Sequence, residues 1–184
     1  MERENIKPIE VKLEDFYSKI LSSLGKITDF EIAELLKTSH QTIATAESMT
    51  GGMIAARLTN IPGSSDYFIG GVISYHDRIK IQELQIPPKI FAQEGAVSAK
   101  IATLMAEGIK RKFKTDIGLA ITGCAGPDPL PPAPVGLVYL SLVTNASSEC
   151  KELTLERTRS EIREKATQAA MGLLWFHLGG GTKL

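Results

Sequence analysis

An α/β layered domain is the fold class this sequence predicts, and three observations carry it. Short apolar stretches of strand character alternate with segments of helical periodicity along most of the chain. Two glycine-rich turns, Glu47-Ser48-Met49-Thr50-Gly51-Gly52 and Ile121-Thr122-Gly123-Cys124-Ala125-Gly126-Pro127, each follow such a stretch, as loops at the C-terminal ends of sheet strands do. The 184 residues suit one domain with an ample core, and 43% hydrophobic with 23% charged residues is the balance of a soluble globular protein.

Taken in order, Leu13, Phe16, Tyr17, Ile20, Leu21 and Leu24 recur at helical spacing and predict an amphipathic helix over residues 12 to 25, ended by Gly25. Thr28-Asp29-Phe30-Glu31 reads as a capping box opening a short helix through Leu36. Thr42 to Ala46 is a buried strand, and Met49 to Asn60 a helix stopped by Ile61-Pro62-Gly63-Ser64-Ser65. Tyr67 to Tyr75, rich in β-branched and aromatic residues, reads as a second strand, with Gly70-Gly71 marking a bulge or a close approach of backbone. His76 to Leu84 is helical until Pro87-Pro88 closes it. Ser98 to Phe113 is the clearest helix: Ile101, Leu104, Met105, Ile109, Lys112 and Phe113 trace one stripe, with the Lys112 stem lying along it. Asp116 to Ile121 and Val135 to Thr144 are apolar strands, and Glu152 to Glu156 a polar edge strand. A last helix from Ser160 to Leu178 turns Ile162, Ala166, Ala169, Ala170, Leu173 and Leu174 inward. Pro127 to Pro134 is a stiff proline-rich loop between two strands.

Several function classes are excluded at this stage. Lys+Arg 21 against Asp+Glu 21 leaves no basic excess to hold a nucleic acid. The polar start and the lack of any apolar run of ~18 residues give no signal or membrane span, so a cytoplasmic protein is expected. Cys124 and Cys150 form no Cys-x-x-Cys pair and read as free thiols, and His40, His76 and His177 lack ligand spacing, so no metal is expected. Asn145-Ala146-Ser147 reads as a turn. Neither glycine turn is a Walker loop or a dinucleotide fingerprint.

A serine placed where a strand gives way to a helix lies beside free backbone N–H groups, where a nucleophile or an anion site is easily built. Ser48 or Thr50 could equally be a simple helix cap. The adjacent Gly51 and Gly52 favour the first reading, because glycine suits an opening helical turn poorly unless something must approach the backbone. His76, with Asp77 beside it, is arranged wrongly for an imidazole oriented by a buried carboxylate. A Ser–Lys pairing with Lys80 is the alternative, and Tyr75 could relay or orient the proton. Each of those two could also be an ordinary surface residue. If the strands before Ser48, Thr122 and Tyr75 are parallel neighbours, all three face one crevice. Arg157, Arg159 and Arg163 straddle the start of the last helix, as phosphate ligands or as a solvated face.

Together these motifs resemble a known family. Thr45-Ala46-Glu47-Ser48-x-Thr50-Gly51-Gly52, Pro62-Gly63-Ser64-Ser65, Gly70-Gly71-Val72-x-Ser74-Tyr75, Lys80, Gly95-Ala96-Val97-Ser98, Thr122-Gly123-x-Ala125-Gly126-Pro127 and Pro134-Val135-Gly136 occur in the order of the CinA C-terminal domain family, which includes the nicotinamide-nucleotide amidases. The resemblance covers roughly residues 27 to 178, leaving 1 to 26 as an N-terminal extension and 179 to 184 as a flexible tail. It implies a three-layer α/β/α sandwich with a mixed, mostly parallel sheet, a homodimer, and no metal or cofactor. The implied reaction hydrolyses nicotinamide mononucleotide to nicotinate mononucleotide and ammonia. Ser48 would be the nucleophile and Lys80 with Tyr75 its activating partners. N–H groups around Thr50, Gly51 and Gly52 would hold the oxyanion. Thr122 falls at an active-site position, and Arg159 or the backbone after Thr122, beginning at Gly123, would hold the 5′-phosphate. Glu47 reads as an orienting carboxylate rather than the base.

Three positions depart from the family pattern: Met49 stands where cysteine is usual, Arg157-Thr158 replaces Gly-Asp, and the glycine-rich loop becomes Asp128 to Ala133. Prolines remove N–H donors and fix φ, so the loop could alter substrate fit. Two further readings follow: a non-catalytic pyridine-nucleotide-binding relative, and a serine amidase with another amide substrate.

Overall fold

A computed structural model of the chain describes residues 28–180. The helix expected over 12 to 25 and the tail beyond Gly180 lie outside those residues. The capping box is formed: Thr28 Oγ1 accepts from the Glu31 N–H and the Glu31 carboxylate takes the Thr28 N–H, opening α1 (Asp29–Thr38). Strand β1 (Ile43–Glu47) follows, then α2 (Met53–Thr59), a 3-10 turn at Ser64–Asp66, and β2 (Phe68–Ile73). Next come α3 (Asp77–Leu84), α4 (Pro88–Glu94), α5 (Ala99–Phe113) and β3 (Ile117–Gly123). β4 (Leu137–Val143), β5 (Ser148–Thr154) and α6 (Arg159–His177) follow among the described residues.

The sheet order is β2-β1-β3-β4-β5, with β1 parallel to both β2 and β3 and the β3–β4 and β4–β5 pairings antiparallel. The expected mixed sheet is therefore present, its parallel pairings both made by β1. Helices cover both faces. Ile43 of β1 and Ile117, Leu119 and Ile121 of β3 pack with α1, α2 and α6, while Ala44, Ala46 and Ala120 pack with α3 and α5. The small residues on the second face let α5 lie close: a Cβ on Gly118 would stand 2.2 Å from the Ala106 carbonyl oxygen.

Several boundaries differ from the sequence reading, each for a local reason. Ser48 to Gly52 is a turn rather than helix, because Gly52 takes a left-handed φ of 101° and the helix starts only after it. Pro87-Pro88 does not end helical structure; Pro88 occupies the first turn of α4, where its missing N–H is not needed. Lys112 is exposed, and its Nζ pairs with Glu83 at 2.8 Å. The polar edge strand starts earlier than expected, and Gly179 and Gly180 donate to Phe176 and Trp175 carbonyls as the end of α6 rather than as tail. At Gly70-Gly71 both expectations hold. The β1–β2 register shifts immediately before Gly70, with Ile69 skipped between Phe68 and Gly70, and a Gly71 Cβ would stand 2.5 Å from Thr45 Oγ1.

Candidate active site

β1, β2 and β3 run in the same direction, so their C-terminal ends open on one side of the sheet. A cavity of about 350 Å³ lies there, and Ser48, Tyr75, Lys80, Thr122, Gly123 and Arg159 all line it. The crevice expected from the three strand ends thus exists, although Thr122 sits within β3 rather than past it. His76, Asp77, Met49, Cys124, Asp128 and Leu130 complete much of the wall.

Ser48 follows β1 directly, and its N–H donates to the Ile121 carbonyl at 3.0 Å, extending the β1–β3 pairing by one residue. The side chain is 8% exposed, and its hydroxyl has no hydrogen-bond partner among the described residues. Glu47 points to the opposite face. Its buried carboxylate accepts from Thr50 Oγ1 at 2.7 Å and from the N–H groups of Gly52, Ile54 and Ala55 at 3.1, 3.1 and 2.8 Å. It therefore caps α2, a duty that neither Ser48 nor Thr50 performs.

The remaining groups are held by their own partners. Lys80 is 2% exposed and its Nζ donates to Asp77 Oδ1 at 2.8 Å, so the buried ammonium is compensated. Arg159 bridges the mouth of the cavity, donating through Nη1 to the Gly126 carbonyl and through Nη2 to Tyr75 Oη at 2.9 Å. The Thr122 hydroxyl donates to the Ala96 carbonyl at 2.9 Å, tying β3 to the segment before α5. His76 is engaged elsewhere: its Nδ1 accepts from the Arg78 N–H and caps α3.

Three expected residues are not brought to the cavity. Thr50 is fully buried, and the Gly51 and Gly52 N–H groups are consumed by the Ser48 carbonyl and Glu47. The arginine that the sequence left undecided, Arg163, donates to the Met49 and Thr50 carbonyls. Its spacing of four from Arg159 puts both on one face of α6, the only signal that could have placed it near the serine turn.

A family profile for the CinA C-terminal domain matches residues 27–177. The chain belongs to the CinA C-terminal domain family. It is 42% identical over 171 residues to a CinA-like protein of Dictyoglomus thermophilum, a match covering 92% of this chain and 41% of that protein. A CinA-like protein of Kosmotoga olearia is 39% identical over 168 residues, covering 90% and 41%. The chain thus spans about two fifths of the length of these curated relatives. The crystal structure of competence damage-inducible protein A from Klebsiella pneumoniae superposes with a TM-score of 0.80 at 28% identity, covering 83% of this chain and 96% of that one. The competence/damage inducible protein CihA of Agrobacterium tumefaciens gives 0.76 at 32% identity, covering 83% and 97%. No helix among the described residues is long and apolar enough to cross a membrane, and no group of His, Cys, Asp and Glu among them could hold a metal ion.

Proposed function

We propose that this CinA-family domain is an amidohydrolase that converts nicotinamide mononucleotide to nicotinate mononucleotide and ammonia, working in the cytoplasm as a homodimer without metal or cofactor. The observation that carries the reading is the unpartnered Ser48 hydroxyl, nine-tenths buried and facing a cavity that also holds Lys80, Tyr75 and Arg159. A hydroxyl with neither donor nor acceptor is available to attack, and a lysine in the same cavity is the base of a Ser–Lys mechanism.

In that mechanism Ser48 Oγ attacks the carboxamide carbon as its proton passes to Lys80, which must first be the neutral amine, its own proton given up to Asp77 or to solvent. The tetrahedral intermediate collapses as Lys80 or Tyr75 returns a proton to the departing amine, releasing ammonia and leaving an acyl ester on Ser48. Water then cleaves the ester to the carboxylate. Arg159 retains N–H groups beyond those given to Gly126 and Tyr75, enough to engage a 5′-phosphate. The exposed Ile69 and Ile73 on edge strand β2 supply an apolar face for the dimer.

Release of ammonia from nicotinamide mononucleotide by the purified protein, lost in Ser48→Ala, is the expected result. Folded protein with no turnover over a wide substrate range sinks it. A second reading, an amidase for an amide without phosphate, is favoured by Asp128 and Leu130, which put a carboxylate and an apolar side chain into the wall. Faster turnover of nicotinamide or its riboside than of the mononucleotide selects it.

A further inference from the structure

The turn after Ser48 is gripped from two sides. Glu47 takes the N–H groups of Gly52, Ile54 and Ala55. From the other side, Arg163 Nε donates to the Met49 carbonyl and Nη2 to the Thr50 carbonyl, each at 2.9 Å. A Cβ on Gly51 would stand 3.4 Å from Arg163 Nη2, so the guanidinium lies close against the turn. Inside the turn, the Gly51 N–H closes on the Ser48 carbonyl at 3.1 Å and the Ser48 N–H on Ile121 at 3.0 Å. Among the described residues, the Met49 and Thr50 N–H groups are the two left in this turn without an acceptor.

A trans peptide holds its C=O and N–H in one plane, pointing in opposite directions. Drawing the Met49 carbonyl to Arg163 therefore turns the Thr50 N–H the other way. Drawing the Thr50 carbonyl to Arg163 turns the Gly51 N–H onto the Ser48 carbonyl, and that bond in turn fixes the plane carrying the Met49 N–H. One guanidinium thus sets three successive peptide planes next to the serine. We propose that Arg163 is a positioning residue that, by fixing this turn, preorganises the Met49 N–H as an oxyanion donor of Ser48. The inference rests on the amidase reading and moves the donor from Thr50–Gly52 to Met49, directly after the nucleophile, the residue that supplies its N–H in other hydrolases. Preorganised donors act on charge that develops only in the transition state, so their loss lowers kcat more than it raises KM.

The test measures kcat and KM for ammonia release by wild type, Ser48→Ala, Arg163→Lys and Arg163→Ala, with nicotinate mononucleotide affinity and thermal midpoint as controls. Arg163→Ala is expected to lower kcat on the order of 10²-fold with KM changed less than about twofold, and Arg163→Lys, able to serve one carbonyl, by about tenfold. Guanidinium ion at millimolar concentration should restore part of the rate to Arg163→Ala and none to Ser48→Ala. If Arg163→Ala does not fold, Arg163→Lys carries the test alone. Active wild type, inactive Ser48→Ala and an unchanged kcat in the folded Arg163 variants overturn the inference and leave the amidase reading standing. So does a rise in KM at constant kcat. Wild type that releases no ammonia sinks the reading and the inference with it.

Discussion

The two ends of the parallel strands β1 and β3 are built on the same plan and finished differently. At the N-terminal end, Asp116 Oδ2 accepts from the Thr42 N–H at 2.8 Å and from Thr42 Oγ1 at 2.7 Å, while the Asp116 N–H donates back to Thr42 Oγ1 at 3.1 Å. Ile117 N–H then takes the Thr42 carbonyl. At the C-terminal end, Glu47 likewise gathers three N–H groups and a hydroxyl, and Arg163 gathers two carbonyls. The first end spends the Thr42 and Asp116 polar groups on one another. The second leaves over the Ser48 hydroxyl and the Met49 and Thr50 N–H groups, and of these residues Ser48 and Met49 line the cavity. A carboxylate used to close a strand end stabilises, whereas a carboxylate used to brace a turn frees its neighbours for chemistry.

The largest effect expected from breaking this contrast is at Ser48. Ser48→Ala should lower kcat on the order of 10⁴-fold or more in a rate assay, with a thermal midpoint within a few degrees of wild type, because the hydroxyl contributes no bond to the fold. Glu47→Gln should instead move stability: the amide turns N–H donors toward backbone N–H groups, at a cost of about 3 kcal/mol, read from the denaturant midpoint at constant m-value. A Glu47→Gln variant as stable as wild type would mean the turn is braced by Arg163 alone. Asp128 offers a smaller test. If a phosphate enters the cavity, Asp128→Asn should lower KM by roughly fivefold in low salt and less in 0.5 M salt, since the exposed carboxylate acts through a screened field. Equal KM values at both salt concentrations would take the phosphate away from Asp128.

Legibility followed the kind of information each residue carries. Apolar periodicity found β1, β3, β4, α5 and α6 to within a few residues, because burial on a known period leaves a signal in sequence. Ser48, Tyr75 and Thr122 were gathered by the argument that parallel strand ends converge, Lys80 by the chemistry of a Ser–Lys pair and Arg159 by the family resemblance, and all five line one cavity. What sequence could not supply was the partner of each polar group. Gly51 and Gly52 looked like free N–H donors, yet the Ser48 carbonyl and the Glu47 carboxylate claim them. Arg163 looked like one of three helix arginines, and its partners are backbone carbonyls 113 and 114 positions away. Carbonyl acceptors are the same at every residue, so nothing in a side-chain pattern marks them.

The closed end gives the smallest effect and the cleanest sign. Hydrogen bonds from the Thr42 side chain and backbone hold the Asp116 carboxyl below its ordinary range, with burial opposing them. A carboxylate depressed in the folded state adds stability that is fully present above its unfolded pKa and lost as pH falls through its folded one. Unfolding free energy of wild type should therefore fall between about pH 5 and pH 3, and part of that fall belongs to Asp116. Asp116→Asn keeps an oxygen that both Thr42 donors can reach, so it should cost less than about 1 kcal/mol at pH 7. The gap between the two proteins should narrow on acidification, as wild type protonates and the variant does not. Parallel curves, with a gap constant from pH 7 to pH 3, would mean the Thr42–Asp116 clasp holds the strands by geometry and not by charge. Turnover at pH 7 should be the same in both, because the clasp lies at the other end of the strands from Ser48.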